Sequence, residues 1–286
     1  MKKTRLTALC IVLLLCAVFS TAALAEEADL TAYSRVIDVP GVGHWRYYAQ
    51  NDPLWAKSIY EPFNSTKWRT MQETGCGPTA LAIALSRQVD PADLPSLLKL
   101  KNRYQDGYFL CPCSVNGYRC DRTHEKLDAQ TSHDFETYLP VILAAYAAGN
   151  NLGRTKYRSM TDGTSIDLFR ALARAYNLHY KVARDWEEAC AAMEEGYSVI
   201  TSVARGVFTP ISHYLVIASA DDTDIYILDP YMRTDYTEYD RKGILEVIEP
   251  GLVKAKQSDL PRLAFSGFYM IRKPIPFGKN VTDVPE

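Results

Sequence analysis

Residues 74–85 read TGCGPTALAIAL, a pattern that predicts a tight loop leading into a buried helix. Gly75 and Gly77 flank a cysteine with residues that tolerate unusual backbone dihedral angles and a close approach of other backbone. Pro78 suits the start of a helix because its missing N–H is not needed there. The apolar run that follows is typical of a helix buried on most sides. We therefore predict that Cys76 lies in the first turn of this helix, where unpaired N–H groups and the helix dipole favour its thiolate form.

Two short segments far along the chain favour a reactive cysteine over a small residue that only packs in the core. His213 opens one predicted strand, Asp229 closes the next, and residues 221–224 between them form a predicted hairpin turn. Such a hairpin places Asp229 within about three residues of the position opposite His213, where side chains on one face are roughly 5–8 Å apart. A carboxylate there can hold one imidazole N–H and leave the other nitrogen for a thiol.

The order of the predicted elements indicates an α+β fold with a mostly antiparallel sheet, because helices collect early and strands late. After a short strand at 35–39 and the cysteine helix, we predict helices at 135–148, 165–177 and 185–195. Pro140 predicts a later start for the first of these. The predicted strands that follow are at 197–203, 213–218, 225–228 and 265–271.

The N-terminal 25 residues have the pattern of a secretory signal peptide. A basic start precedes a mostly apolar run and the small-residue cleavage site Ala23-Leu24-Ala25. An uncleaved anchor is the alternative, because the apolar run is almost long enough to span a membrane. We therefore predict a secreted or cell-envelope protein. Its predicted parts are a signal peptide (1–25), a lead-in (26–34), one large folded domain (35–275) and a tail (276–286).

The cysteines that remain after cleavage are Cys76, Cys111, Cys113, Cys120 and Cys190. An odd number in an exported protein suggests disulfides and one free thiol, for which the helix start favours Cys76. Three of the others lie in the turn-rich segment 101–131, which predicts an inserted surface loop. The alternative is a zinc site made by Cys111, Cys113, Cys120 and His124. Structural zinc sites usually have longer spacing between their first two ligands, so disulfides are favoured, with connectivity left open.

Charge and hydropathy exclude some kinds of partner. The formal net charge is −2 and the sequence has no basic patch, which argues against binding to nucleic acid or to anionic membranes. No segment after the N-terminal run is apolar enough to cross a bilayer, so we expect no stable membrane insertion once the signal peptide is removed.

Four blocks together resemble the C39-like cysteine peptidases, relatives of the double-glycine leader peptidases within the papain-like superfamily. The blocks are QNDPLW (50–55), GCGPTALA (75–82), SHYLV (212–216) and YILDP (226–230). The resemblance implies a papain-like fold in which a helical part carries the nucleophile and packs on an antiparallel sheet that carries His and Asp. It implies Cys76 as nucleophile, His213 as general acid/base and Asp229 as its orienter. It also implies Gln50 as an oxyanion-hole donor, with Gln72 as the alternative for that role.

The expected function is thiol-dependent hydrolysis of peptide or isopeptide bonds in a peptide or protein substrate. Acyl transfer to sulfur requires neither metal nor cofactor, so we expect none. Residues 100–165 depart from the family pattern and leave the substrate open. Two alternatives remain, namely a papain-like binding module without activity and a zinc-stabilised secreted protein.

Overall fold

The centre of the protein is a seven-stranded antiparallel sheet with the strand order β11-β12-β10-β9-β8-β13-β7. The computed structural model describes residues 33–57, 59–61, 69–90, 93, 136–148, 157–159 and 163–274. The strands are β1 (Arg35–Val39), β2 (Gly43–Tyr47), β3 (Ile59–Glu61), β4 (Arg69–Thr70), β5 (Arg158–Ser159), β6 (Gly163–Thr164), β7 (His179–Ala183), β8 (Ser198–Val203), β9 (His213–Ala220), β10 (Asp224–Leu228), β11 (Glu246–Glu249), β12 (Leu252–Lys256) and β13 (Phe265–Arg272). The helices are α1 (Met71–Thr74), α2 (Cys76–Ser86), α3 (Leu139–Ala148), α4 (Asp167–Ala175), α5 (Trp186–Glu194) and a 3-10 helix (Gln257–Arg262).

The sheet separates two hydrophobic cores, because alternate residues of its strands point to opposite faces. On one face Ile200 and Val216 pack with the apolar side chains of α2 and α3. On the other face Val199 and Ile217 pack with Ala189 and Ala192 of α5. The interior strand β8 is buried along nearly its whole length, which explains its almost uninterrupted apolar and small-residue sequence.

Helix α2 is buried from Gly77 to Leu85. It packs against α3, against β2 and against strands β8 and β9 of the large sheet. Contacts on several sides require apolar or small residues on every face of the helix, which is what residues 77–85 provide.

The predicted α+β class is confirmed, with a larger sheet than the sequence indicated; its papain-like assignment stays a prediction. The four predicted strands of the second half are present as β8, β9, β10 and β13. The sheet also contains β7, β11 and β12, which the sequence analysis missed. The first predicted helix begins at Leu139, so Pro140 lies in its first turn, where its missing N–H is tolerated.

Several predictions concern residues outside the described part of the chain. The signal peptide, the cysteine-rich segment 101–131, the zinc alternative with His124, and the tail lie there, as does most of the lead-in. Within the described part, no helix has the length and apolar character needed to span a bilayer.

Cys190 lies in α5 and is a free thiol. The predicted disulfide of Cys190 is therefore not seen, and its predicted partners Cys111, Cys113 and Cys120 lie outside the described residues.

Candidate active site

Cys76 is the first residue of α2 and is half-buried. The short helix α1 ends at Thr74, and Gly75 forms the junction between the two helices. The carbonyl of Gly75 accepts hydrogen bonds from the Thr79 backbone N–H (3.1 Å) and from the Thr79 hydroxyl (2.8 Å). These bonds fix the turn that presents the sulfur. The first N–H groups of a helix have no acceptor within it, so the Cys76 side chain lies at the positive end of α2.

The two glycines beside Cys76 are required for close packing rather than for unusual dihedral angles. Gly75 has φ of −81°, which is an ordinary value for any residue. The expectation that this glycine adopts unusual dihedral angles is therefore wrong. A side chain at Gly75 would meet Met71, and one at Gly77 would overlap Thr164 of β6. The expected close approach is therefore present at both positions.

The hairpin formed by β9 and β10 brings His213 and Asp229 together. His213 is the first residue of β9, and Asp229 directly follows β10. The register pairs Leu228 with Val216, which places Asp229 opposite Leu215, two residues from His213. His213 Nε2 lies 2.7 Å from Asp229 Oδ1, and the side chains are 8% and 0% exposed. The predicted pairing of an imidazole with a carboxylate is thus present in the structure.

Each oxygen of the Asp229 carboxylate has a further hydrogen-bond donor. The Tyr231 backbone N–H donates to Oδ1 (2.8 Å), and the Tyr236 hydroxyl donates to Oδ2 (2.6 Å). The Tyr47 hydroxyl donates to the Asp229 carbonyl (2.7 Å). Sequence reasoning missed all three tyrosines. The clustering of tyrosines at 231, 236 and 239, directly after Asp229, was the available signal for two of them.

The pKa of His213 is strongly perturbed by its neighbours in the site. Burial by itself lowers its pKa, but the charge and hydrogen bond of Asp229 and the hydrogen bond and charge of Cys76 raise it. The result is a pKa raised from 6.5 to about 10. Because Asp229 occupies Nε2, Nδ1 is the ring nitrogen left for Cys76. The structure therefore joins the imidazole directly to the carboxylate, and Cys76 lies close enough to the same ring to raise its pKa.

Gln50 links helix α1, which precedes Cys76, to the loop after Asp229. The side chain is 2% exposed, and its Nε2 donates to the Gln72 carbonyl at 2.8 Å. Its backbone N–H donates to the Pro230 carbonyl at 2.6 Å. Gln50 Oε1 is buried without a hydrogen-bond partner among the residues described. Nε2 carries two protons, and only one of them is needed for Gln72.

Gln72 is oriented differently. Its side chain is exposed, and its Nε2 lies 3.3 Å from the hydroxyl of Tyr231. Gln72 therefore contributes its carbonyl to the placement of Gln50, while its own amide lies on the surface beside Tyr231.

A sequence model described as the Peptidase_C39 like family matches residues 45–249. The match covers well over half of the chain and contains Gln50, Cys76, His213 and Asp229. The chain belongs to the Peptidase_C39-like family. No curated protein matches it.

Membership in the Peptidase_C39-like family supports a cysteine peptidase-like hydrolase and a peptide or protein as its substrate. In this family member, β13 (Phe265–Arg272) lies beyond the matched residues and yet runs between β8 and β7. The sheet that carries His213 and Asp229 therefore continues past the matched range.

Proposed function

We propose that this chain is a secreted cysteine peptidase that cleaves peptide or isopeptide bonds through Cys76, His213 and Asp229. The observation that supports it best is the 2.7 Å bond between His213 and the buried Asp229 carboxylate, with Cys76 at the start of α2 close enough to raise the pKa of the same imidazole. Secretion is supported by the signal-peptide pattern of residues 1–25.

The proposed reaction begins with the thiol proton of Cys76 already on Nδ1 of His213, so that a thiolate faces an imidazolium. The thiolate attacks the substrate carbonyl carbon and forms a tetrahedral intermediate. His213 then gives the proton to the leaving amine as the C–N bond breaks, which leaves a thioester on Cys76. A water molecule, deprotonated by His213, attacks the thioester and releases the carboxylic acid product. The thiolate regains the proton, and no metal or cofactor is required.

The raised pKa of His213 supports this division of roles. An imidazolium between Asp229 and Cys76 is stabilised by a negative charge on each side, so the protonated ring is available as the general acid for the leaving amine. Asp229 also holds the proton on Nε2, which leaves Nδ1 directed at the sulfur.

Gln50 is the proposed side-chain donor of the oxyanion hole, together with the backbone N–H of Cys76. Its bond to the Gln72 carbonyl uses one amide proton of Nε2 and leaves the second one for the oxyanion. The loss of one oxyanion donor typically costs about 3 kcal/mol of barrier, on the order of a hundredfold or more in rate. The exposed Gln72 amide is the less suitable candidate because it lies beside Tyr231 instead.

Iodoacetamide labelling tests the nucleophile without a known substrate. Cys190 is a built-in comparison, because burial and the charges of Glu187 and Glu194 raise its thiol pKa to about 11. At about pH 6 we expect Cys76 to be alkylated at least about tenfold faster than Cys190, as judged by peptide mapping. Equal, slow labelling of both thiols would show that Cys76 is not activated.

Cleavage of a peptide library tests the activity itself. We expect the wild type and Cys190→Ala to cleave the same peptides, and Cys76→Ala to cleave none. If the wild type and Cys76→Ala bind library peptides equally and neither cleaves them, the chain is a binding module and the proposed activity is wrong.

A further inference from the structure

The segment directly after Asp229 contains an arginine surrounded by tyrosines. The Arg233 guanidinium carbon lies 4.6 Å from the centre of the Tyr231 ring, 5.1 Å from that of Tyr239 and 5.8 Å from that of Tyr236. These distances are within the range of cation–π attraction. We call residues Tyr231, Arg233, Tyr236 and Tyr239 the tyrosine–arginine cluster.

Tyr236 is the member of the cluster that reaches the candidate active site. It is 3% exposed, and its ring meets Phe208 edge-on, with centroids 6.1 Å apart and planes at 85°. Phe208 lies in the loop between β8 and β9, just before His213. The ring is therefore fixed between Arg233 and the loop that leads to His213, and its hydroxyl donates to Asp229 Oδ2.

The geometry of the carboxylate explains what this hydroxyl does. Rotation of the carboxylate about its Cβ–Cγ bond moves both oxygens, and His213 and the Tyr231 N–H restrain this rotation through Oδ1 alone. The Tyr236 hydroxyl adds a restraint at the second oxygen, Oδ2. A hydrogen bond to a carboxylate oxygen is also shorter and stronger than one between two neutral groups.

Tyr236 remains a donor over the whole working range of pH. Burial, followed by the charge and hydrogen bond of Asp229, raises the pKa of Tyr236 well above that of an exposed tyrosine. The phenol therefore stays protonated and keeps its proton for the bond to Asp229.

We propose that Tyr236 is a positioning residue, held by the tyrosine–arginine cluster, that fixes the Asp229 carboxylate so that it orients His213 toward Cys76. This role rests on the proposed function, because it concerns the same imidazole and thiol. Tyr236 acts through Asp229 and does not touch the substrate.

Tyr236→Phe tests the role because it keeps the ring contacts with Phe208 and Arg233 and removes only the hydroxyl. We expect kcat for a cleaved peptide to fall about tenfold, with KM unchanged, as for the loss of a hydrogen bond to a charged group. Tyr48→Phe is the matched control, because the Tyr48 hydroxyl also makes a 2.6 Å bond, to the Glu136 carbonyl. We expect Tyr48→Phe to keep the wild-type kcat.

A second readout separates positioning from general stability. If Tyr236 acts through Asp229, Tyr236→Phe should change kcat little in a chain that already carries Asp229→Asn. The proposal would be overturned if the two substitutions together reduced kcat by the full product of their separate effects. It would also be overturned if Tyr236→Phe kept the wild-type kcat and only lowered the melting temperature.

A third readout does not depend on activity. In the inactive Cys76→Ala chain, the proton on His213 Nε2 should give a downfield NMR signal, and Tyr236→Phe should speed its exchange with water about tenfold. An unchanged exchange rate would overturn the positioning role even if the peptidase is active. Conversely, a Cys76 that is not alkylated in the wild type would contradict the proposed function. The exchange rate would still test the positioning of His213, because it does not depend on cleavage.

Discussion

His213 is a buried histidine that is nevertheless stabilised in its charged form. Burial disfavours the imidazolium, but the opposite charge and hydrogen bond of Asp229, with smaller contributions from Cys76, outweigh it and raise the pKa to about 10. A carboxylate that is itself buried and hydrogen-bonded on both oxygens is suited to this task, since little of its charge is screened by water.

Asp229→Asn tests the contribution of that charge. The amide can still accept a bond from His213 Nε2 but carries no charge, so we expect the pKa of His213 to fall. The alkaline limb of kcat/KM should then move to lower pH, because the general acid loses its proton earlier. A pH profile of cleavage measures the shift.

The control for this substitution is Asp224→Asn, on the same hairpin. Asp224 pairs with Lys256 at 2.7 Å and does not take part in the His213 bond. Its profile should match that of the wild type. Identical alkaline limbs for Asp229→Asn and the wild type would show that Asp229 does not set the protonation of His213.

Single residues of the candidate site were predictable where the signal was local. Cys76 is marked by its glycines and by the helix that follows, and His213 and Asp229 by their positions at strand ends. Their catalytic roles stay predictions. Tyr47 was not predictable, because it reaches the Asp229 carbonyl from 182 positions away and no local pattern records such a contact.

Helix α2 is held at its first turn by one close contact with β6. Gly77 lies against Thr164, whose hydroxyl bonds to Tyr60 at 2.8 Å and whose carbonyl accepts from Tyr214 at 3.1 Å. Gly77 directly follows Cys76, so this contact lies beside the residue that carries the sulfur. The position of Cys76 therefore depends on a glycine packed against a strand.

Gly77→Ala should destabilise the protein. Helix propensity alone would favour alanine by up to about 1 kcal/mol. The added methyl group would overlap Thr164, and overpacking of this kind typically costs about 1–3 kcal/mol. Urea unfolding measures the free energy of unfolding. Thr164→Gly removes the overlapping atoms, so the two substitutions should compensate in a double-mutant cycle. A more stable Gly77→Ala chain would contradict this reading of the contact.

Elements were predictable to the extent that burial shaped their sequences. Strands β8 and β9 are apolar over most of their length because both of their faces are covered. The missed strand β7 is an edge strand with mostly exposed or half-exposed residues, and β11 at the other edge has the same character. Such strands form because a neighbour offers hydrogen bonds, and their own sequences carry little periodic signal.

Across the whole molecule, the first strands secure the loop that carries Asp229. Arg35 pairs with Glu249 at 2.9 Å and also binds the Pro250 carbonyl. The adjacent Gly251 accepts from the Asp229 N–H at 2.9 Å and leaves room for the ring of Tyr47. Cys76 on one side of the site and His213 with Asp229 on the other could be predicted from the sequence. This connection could not, because it is made by loops and by residue pairs that lie far apart along the chain.

The charge of His213 couples the site to the stability of the whole molecule. A folded pKa above the unfolded value means that the folded state binds the proton more tightly. The resulting stabilisation is complete below the unfolded pKa of 6.5 and is lost as the pH rises toward the folded value of about 10. Each pKa unit corresponds to about 1.4 kcal/mol, so the effect is on the order of a few kcal/mol.

Unfolding by urea at a series of pH values tests this coupling, with Cys76→Ala as the parent to prevent self-cleavage. Without the sulfur, the pKa of His213 in the folded state is raised by Asp229 alone. The stabilisation is therefore lost somewhat below pH 10. From about pH 6.5 upward the parent should lose on the order of 1–3 kcal/mol more than the same chain with Asp229→Asn. All other titrating groups are common to both chains, so the difference in slope belongs to the His213–Asp229 pair. Parallel curves would mean that Asp229 does not raise the pKa of His213 in the folded protein, against the role given to the pair.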